Sequence, residues 1–265
     1  MARARDGRFL LRIEDIDRSR ARMEWEAQIY DDLAWLGLRW ETPVMRQSDR
    51  LPTYQTALDD LWERGLLYSC SCSRADIAAA ASAPQEGAPL LGPDGVVYPG
   101  TCRDKRPHTK GDPRPDNAPL RLNMTKALRL TEHSDSSTLP VTFDEACLPS
   151  KRGIVEVSSA EILHSVGDIV LARRDMGTSY HLSVVLDDAA QGITDVVRGA
   201  DLFEATVIHV LLQELLGLPT PAYHHHALIR DDKGKRLAKR DDARAISLYR
   251  AQGATPADIR GLIGL

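Results

Sequence analysis

The pattern of apolar and polar residues predicts strands and helices that follow one another along the first part of the chain. An apolar run at 8–13 suits a short buried strand. Beyond it, apolar residues fall on one face of a helix over about 20–36, which Gly37 ends. Pro52, at a first-turn position, begins a second helix that runs to about Gly65.

The same alternation returns in the second half of the chain. Segments 168–172, 192–197 and 222–229 have the length and apolar character of strands, and the apolar segment 202–216 predicts a buried helix. Short helices are expected from there to the end of the chain. Strands that alternate with helices are typical of a parallel sheet covered by helices. The sequence therefore predicts an α/β fold.

The middle of the chain has a different character. It holds three of the four cysteines, an Ala/Pro/Gly-rich stretch at 78–100 and a Ser/Thr/Asp-rich stretch at 131–142. We interpret it as a smaller inserted subdomain, with peripheral loops near 78–95 and 130–151. This divides the chain into a first α/β part (1–66), the inserted subdomain (67–153), a second α/β part (154–218) and a basic loop with short helices (219–265).

Composition and charge exclude several classes of protein. Hydrophobic residues make up 43% of the chain, which is enough for a core, and the net charge of −4 excludes a polycation that binds nucleic acid by bulk charge. No apolar run approaches the roughly 20 residues needed to cross a bilayer, and the first 15 residues have no signal-peptide profile. Four cysteines do not make a disulfide scaffold in a chain of this length. We therefore expect a cytoplasmic protein without a membrane partner.

The spacing of the cysteines points to a metal ion. Cys70 and Cys72 are followed by Cys102 about 30 residues later, so three thiolates can occupy three corners of a zinc tetrahedron. Tyr98 or His108 can supply the fourth ligand. The alternative is three reduced cysteines that are buried for packing.

Polar residues near the ends of predicted strands are candidates for binding a small zwitterion. Glu14 follows the first strand, where it can meet a substrate ammonium group. Arg198 can bind a carboxylate through two N–H groups, and Tyr180 offers a hydroxyl. Each of the three also has a plausible structural role. His224 and His226 share one face of a strand, but no carboxylate or cysteine lies near them in the sequence, so we predict no metal there.

A cationic loop at 231–244 follows the last predicted strand. A flexible lysine in such a loop can follow negative charge as it develops on a departing phosphate group, and Lys239 is one of these lysines. The alternative is a solvated basic turn.

Three segments in fixed order, 7–17, 47–54 and 179–202, resemble the catalytic half of class I glutamyl-tRNA synthetases. They include Ile-Glu-Asp-Ile-Asp, Gln-Ser-Asp-Arg-Leu-Pro-Thr-Tyr and Asp-Val-Val-Arg-Gly-Ala-Asp-Leu. The loop after them resembles the Lys-Met-Ser-Lys-Ser signature of that class through Arg236, Leu237, Ala238, Lys239 and Arg240. In it, an arginine replaces the first lysine and an alanine replaces the serine. The resemblance implies a Rossmann-like class I catalytic domain with an inserted zinc-bearing subdomain, so that 1–66 and 154–218 form its nucleotide-binding part.

Within that family the chain is most similar to short paralogues that act on the anticodon of tRNA(Asp). Only 25 residues follow Arg240, too few for the anticodon-binding domain of a full synthetase. The paralogues also hold zinc with three cysteines and a tyrosine, and this implies structural zinc on Cys70, Cys72, Tyr98 and Cys102.

The resemblance implies a reaction and the residues that serve it. L-glutamate and ATP, with magnesium, form glutamyl-adenylate, and the glutamyl group then passes to the queuosine base of tRNA(Asp). Glu14 would hold the α-ammonium group, Tyr180 would line the pocket, and Arg198 would pair with the side-chain carboxylate. Lys239 would stabilise the departing phosphates. A monomer is expected. The alternatives are a catalytic fragment of an ordinary glutamyl-tRNA synthetase and an inactive remnant that binds zinc and RNA.

The resemblance also implies residues that precede this sequence. Family members begin with a strand and a helix that carry a Pro-Ser-Pro-Thr-Gly segment and a His-x-Gly-Ser signature, which grip ATP. Neither occurs here, and 2–7 correspond to the end of that helix. A strand, loop and helix amount to about 25–30 residues, so we expect a reading frame that starts upstream of Met1. The alternative is a shortened product.

Overall fold

The computed structural model describes residues 1–81, 90–105, 111–131, 141–230, 234 and 245–264. The chain divides into two compact units, one built from Met1–Asp49 and Leu228–Leu265 and the other from Arg50–Ala227. None of the helices in the described ranges combines the length and the apolar character that a membrane span requires.

The described helices and strands run through both units. The helices, in chain order, are α1 (Met23–Trp35), α2 (Leu51–Glu63), α3 (Arg74–Ala81), α4 (Met124–Thr131), α5 (Ser159–Ser165), α6 (Tyr180–Gln191), α7 (Thr206–Leu215), α8 (Ile246–Ala251) and α9 (Pro256–Leu262). The strands are β1 (Leu10–Ile13), β2 (Glu41–Arg46), β3 (Leu67–Ser69), β4 (Leu91–Gly92), β5 (Gly95–Val96), β6 (Leu120–Leu122), β7 (Val141–Glu145), β8 (Gly153–Val157), β9 (Val170–Ala172), β10 (Asp195–Gly199) and β11 (Ala222–His226).

The first unit is a small parallel pair of strands with helices from both ends of the chain. Strands β1 and β2 pair in parallel, and α1 connects them. Helix α8 packs on α1 through Arg250, which forms ion pairs with Asp31 and, at 3.0 Å, with Asp32. Arg260 of α9 donates a hydrogen bond at 2.7 Å to the Leu36 carbonyl, so it satisfies a free acceptor at the end of α1.

The main sheet of the second unit has the strand order β10-β11-β7-β8. Strands β10, β11 and β7 are parallel, as predicted, and β8 adds an antiparallel edge. The prediction of a peripheral loop over 130–151 is wrong, because β7 lies inside this sheet. Its residues alternate between buried and exposed, but the buried position at its end is Glu145, and this acid hides the strand pattern in the sequence.

A second sheet, β3-β6-β9, is antiparallel throughout, so the prediction of a parallel sheet is wrong for β9, which is the predicted strand 168–172. The predicted strand 192–197 lies later, at β10, because Gly192 has a left-handed backbone with φ 65° and ends helix α6. Helix α7 starts at Thr206 rather than 202, since Ala200–Leu202 forms a 3-10 turn. The division of the chain into four parts stays a prediction.

The core of the second unit lies between the two sheets and helices α2, α4, α6 and α7. Helix α7 is buried along almost its whole length, as its apolar sequence predicts. Several polar groups are buried beside this apolar core, among them one next to Cys70, one around Arg198 and the ion pair between Arg50 and Asp187.

Candidate functional site

The four residues predicted to bind zinc lie together in the second unit, after the end of β3. Cys70 follows β3 directly, and Tyr98 and Cys102 return to it after the β4–β5 hairpin. Tyr98 Oη lies 3.4 Å from Cys70 Sγ and 3.5 Å from Cys72 Sγ. Cys72 Sγ lies 3.4 Å from Cys102 Sγ. We call these four residues the sulfur cluster.

The geometry of the sulfur cluster fits a tetrahedral metal ion. The three sulfur atoms lie within 4.8 Å of one another, and zinc–sulfur bonds of about 2.3 Å would place tetrahedral ligands about 3.8 Å apart. Elsewhere in the described ranges, no three His, Cys, Asp or Glu side chains come as close together as these do. His108, the other candidate for the fourth ligand, lies outside the described residues.

Tyr98 also affects the charge of this cluster. The Cys102 backbone N–H donates a hydrogen bond to Tyr98 Oη at 2.8 Å. Burial opposes ionisation of the Cys102 thiol, but hydrogen bonds from Tyr98 and from the Ser71 backbone outweigh it and lower the pKa of that thiol to about 6. The thiolate is the form that binds metal ions, so Cys102 is poised as a ligand near neutral pH.

A buried acid that the sequence analysis missed joins the sulfur cluster to the second sheet. The Asp168 carboxylate accepts hydrogen bonds from the Tyr68 hydroxyl, from Arg103 Nε at 2.8 Å and from the Met124 backbone N–H at 2.9 Å. Arg121 donates to the Asp168 carbonyl at 2.7 Å, and its guanidinium lies 3.9 Å from the centre of the Tyr98 ring. A single acid ahead of an apolar run gives no sequence signal of this role.

Glu14 lies in the first unit, one residue beyond β1. Its side chain is 46% exposed, and Arg12 forms an ion pair with it at 3.4 Å. Glu14 lines an open cleft of about 590 Å³ together with Trp25 and Ser48. Asp15 beside it is fixed, since it accepts hydrogen bonds from the Ser48 backbone N–H and hydroxyl. The carboxylate of Glu14 is therefore placed where a soluble cation can reach it.

Tyr180 and Arg198 lie in the second unit, on either side of His209. Tyr180, predicted near or at the end of a strand, is the first residue of α6, and Ser179 caps that helix. Arg198 is the penultimate residue of β10. The centroid of the Tyr180 ring lies 5.7 Å from that of the His209 ring, and Arg198 Nη1 lies 2.8 Å from His209 Nδ1. The structure therefore brings these two predicted site residues together.

Two buried histidines contact Arg198 and a third contacts one of these two, and the sequence analysis did not assign any of them to it. Arg198 Nε lies 3.1 Å from His225 Nε2, and His209 Nε2 lies 3.0 Å from His181 Nδ1. We call His181, His209 and His225, with Arg198, the histidine cluster. Burial lowers the pKa of His225 and holds the pKa of His209 well below its ordinary value, with a further contribution to the latter from the Arg198 charge.

His224 has other partners. Its Nε2 lies 2.8 Å from an Asp195 carboxylate oxygen and its Nδ1 lies 3.5 Å from Cys147 Sγ. Both partners are distant in sequence, so they were not visible from the neighbourhood of the histidines. The residues of the predicted signature loop, Arg236, Leu237, Ala238, Lys239 and Arg240, lie outside the described residues.

The fold and these side chains define a synthetase catalytic domain. The family of tRNA synthetases class I (E and Q), catalytic domain, matches residues 1–265, and the chain belongs to this family. It is accordingly an enzyme of the aminoacyl-tRNA ligase type, of a class that uses ATP.

Curated relatives share one particular name. A Glutamyl-Q tRNA(Asp) synthetase of Rhodobacter capsulatus is 65% identical over 265 residues, which is 100% of this chain and 91% of that protein. A protein of the same name from Nocardia farcinica is 39% identical over 262 residues, or 99% of this chain and 75% of that one.

Solved structures show the same fold. The glutamate tRNA ligase of Elizabethkingia meningosepticum, in complex with its amino acid, matches 89% of this chain with a TM-score of 0.63 and 24% identity. The glutamate-tRNA synthetase of Elizabethkingia anophelis gives a TM-score of 0.64. This chain spans 46% and 47% of their lengths.

Proposed function

We propose that this protein activates L-glutamate with ATP and transfers the glutamyl group to the queuosine base in the anticodon of tRNA(Asp). In the first step a carboxylate oxygen of glutamate attacks the α-phosphorus of ATP, and pyrophosphate leaves. In the second, the queuosine base takes the glutamyl group and AMP leaves. The names of the curated relatives support the choice of tRNA.

The geometry of Arg198 is the observation that carries glutamate recognition. Its guanidinium has five N–H groups, and three of them are directed at described partners: His225, His209 and, at 2.6 Å, the Thr206 hydroxyl. Two N–H groups, one on each terminal nitrogen, are left to bind the side-chain carboxylate of glutamate as a pair. Tyr180 lines this pocket.

The other substrate contacts follow the family resemblance. Glu14 binds the α-ammonium group of glutamate, which its exposure and negative charge permit. Lys239 stabilises the phosphates of ATP as pyrophosphate leaves, with magnesium bound to the nucleotide.

Zinc has a structural part in this proposal. Cys70, Cys72, Tyr98 and Cys102 would hold it, and it would fix the chain after β3 to the segment after the β4–β5 hairpin. No step of glutamate activation requires a metal-bound water, so these four residues act on the fold and not on the substrate.

Two assays test the proposal. The first is pyrophosphate exchange with glutamate and ATP, which we expect to proceed without tRNA. Exchange that occurs only after addition of tRNA(Glu) would indicate a fragment of an ordinary glutamyl-tRNA synthetase, and no exchange at all would indicate the inactive remnant.

The second assay measures transfer of labelled glutamate to RNA. Native tRNA(Asp) that carries queuosine should be labelled, whereas a tRNA(Asp) transcript without the modification and native tRNA(Glu) should not. Labelling of the unmodified transcript to the same level would exclude queuosine as the acceptor.

A further inference from the structure

We infer that neutral histidines hold the Arg198 guanidinium in a fixed orientation with its full charge, and thereby make the site selective for a carboxylate over an amide. His209 and His225 are positioning residues in this arrangement, since each acts through Arg198. The inference rests on the proposed role of Arg198 in binding glutamate.

The first contact fixes the proton of His225. An arginine side chain has N–H donors and no acceptor, so the His225 Nε2 atom that faces Arg198 Nε at 3.1 Å must offer a lone pair. The ring proton is then on Nδ1, and this N–H group donates a hydrogen bond to the Glu145 carboxylate. Both side chains are fully buried. His225 is therefore neutral, and its proton points away from Arg198.

Glu145 is kept ionised by its other contacts. It accepts hydrogen bonds from the backbone N–H groups of Cys147 at 2.9 Å and Leu148 at 2.8 Å. Burial raises the pKa of Glu145, but the hydrogen bonds from His225 and from these backbone groups lower it to about 2. An ionised Glu145 accepts the hydrogen bond from His225 Nδ1–H, and this keeps the Nε2 lone pair directed at Arg198.

The second contact fixes the proton of His209 by the same argument. His209 Nδ1 faces Arg198 Nη1 at 2.8 Å, so it carries the lone pair and the ring proton is on Nε2. That proton is donated to His181 Nδ1 at 3.0 Å. His181 in turn directs its Nε2 at Asp94, 3.7 Å away. A cationic His209 would point an N–H group at the guanidinium, and the buried site excludes it.

Neutral acceptors have a consequence for specificity. A carboxylate in direct contact with Arg198 would cancel the charge of the guanidinium and compete with the substrate. The neutral imidazoles of His209 and His225 orient the guanidinium without cancelling its charge. Glu145 contacts His225 and so remains one ring away from Arg198. The two N–H groups of Arg198 that remain for the substrate are both donors. A carboxylate accepts both N–H groups, but an amide turns its own NH₂ towards one of them and leaves it unpaired in a half-buried site.

Amide variants of different length test the inference at matched polarity. An asparagine oxygen reaches the place of a histidine Nδ1, and a glutamine oxygen reaches the place of Nε2. His209→Asn and His225→Gln therefore retain an acceptor for Arg198, whereas His209→Gln and His225→Asn place their amide away from it.

Glutamate-dependent pyrophosphate exchange is the measurement, with glutamine as the competing substrate. His209→Gln and His225→Asn should raise KM for glutamate about tenfold or more, with kcat and the KM for ATP changed little, because a hydrogen bond to a charged group is lost. The preference for glutamate over glutamine should fall by a similar factor. His209→Asn and His225→Gln should restore KM to within about threefold of the unaltered protein.

The decisive result is that asparagine is the better amide at position 209 whereas glutamine is the better amide at position 225. If the same amide is better at both positions, or if all four variants behave alike while their circular dichroism and melting show a folded protein, the inference is overturned. Arg198→Ala separates this from the proposed function. If that variant leaves KM for glutamate unchanged, the assigned role of Arg198 is wrong, whatever the histidine variants show.

Discussion

The second unit contains two buried polar clusters that are stabilised in different ways. In the sulfur cluster, the side-chain contacts between Cys70, Cys72, Tyr98 and Cys102 are thiol contacts of 3.4–3.5 Å, and thiols are weak hydrogen-bonding groups. In the histidine cluster, Arg198 donates hydrogen bonds of 2.8 Å to His209 and 3.1 Å to His225. In our proposal the first cluster is completed by a zinc ion, whereas the second is held together by its own hydrogen bonds and keeps two donors for glutamate.

A buried carboxylate stands behind each cluster, and the two acids have the same kind of surroundings. Asp168, beside the sulfur cluster, accepts from a hydroxyl, a guanidinium and a backbone N–H. Glu145, beside the histidine cluster, accepts from an imidazole and from backbone N–H groups. Both carboxylates are surrounded by donors, and each fixes the neighbours that donate to it.

The largest effect is expected from loss of a ligand in the sulfur cluster. Cys102→Ser should reduce bound zinc from about one ion per chain to background, and lower the free energy of unfolding by about 4 kcal/mol or more, because a structural metal contributes directly to folding. Metal analysis by mass spectrometry and urea denaturation measure the two quantities.

Cys147→Ser is the matched control for the sulfur cluster, since Cys147 is an exposed free cysteine outside it. This variant should keep its zinc. Full zinc content in Cys102→Ser, or loss of zinc in Cys147→Ser, would contradict the assignment and reduce the cluster to buried thiols.

The sulfur cluster could be predicted from the sequence because its spacing is itself a signal. One residue separates Cys70 from Cys72, and Tyr98 and Cys102 form a second group that is close in sequence. The fold therefore has to bring only two short segments together to assemble the four residues. The helices with clear periodicity, α1, α2 and α7, were found for the same reason, since their pattern is local.

The histidine cluster could not be predicted, because its members come from separate elements. His181 lies on α6, His209 on α7 and His225 on β11 within the run His224-His225-His226, and no short spacing in the sequence links the three. The same holds for β7, where Glu145 interrupts the strand pattern, and for the antiparallel pairing of β3 with β6, whose partners are joined through a long intervening segment. Only the fold brings such residues into contact.

An intermediate effect is expected at the acid beside the sulfur cluster. Asp168→Asn keeps the shape of the side chain but turns an NH₂ group towards donors, so one buried donor loses its acceptor and Arg103 loses its ion-pair partner. We expect the free energy of unfolding to fall by about 3 kcal/mol. Urea denaturation at neutral pH measures this.

Asp175→Asn provides the comparison for Asp168→Asn. Asp175 is an exposed acid shortly after β9, and its change should stay within about 0.5 kcal/mol. Equal losses in both variants would show that the hydrogen bonds of Asp168 do not matter for stability.

The smallest effect is expected at the acid beside the histidine cluster, and it depends on pH. The pKa of Glu145 is lowered to about 2 in the folded protein from an ordinary 4.5, so its contribution to stability is complete above pH 4.5 and is lost as the pH falls towards 2. Glu145 should account for about 2 kcal/mol of the stability lost between pH 7 and pH 3. In Glu145→Gln this part of the decline should be missing, and the stability at pH 7 should be lower from the start.

Glu156→Gln separates the Glu145 effect from general acid titration, because Glu156 is exposed on the neighbouring strand β8. Chemical denaturation at a series of pH values from 3 to 7 should give this variant the same slope as the unaltered protein. A Glu145→Gln variant with that same slope would mean that Glu145 is not ionised in the fold. His225 would then lack a fixed acceptor for its Nδ1 proton, and the difference between a metal-dependent cluster and a self-sufficient one would no longer hold.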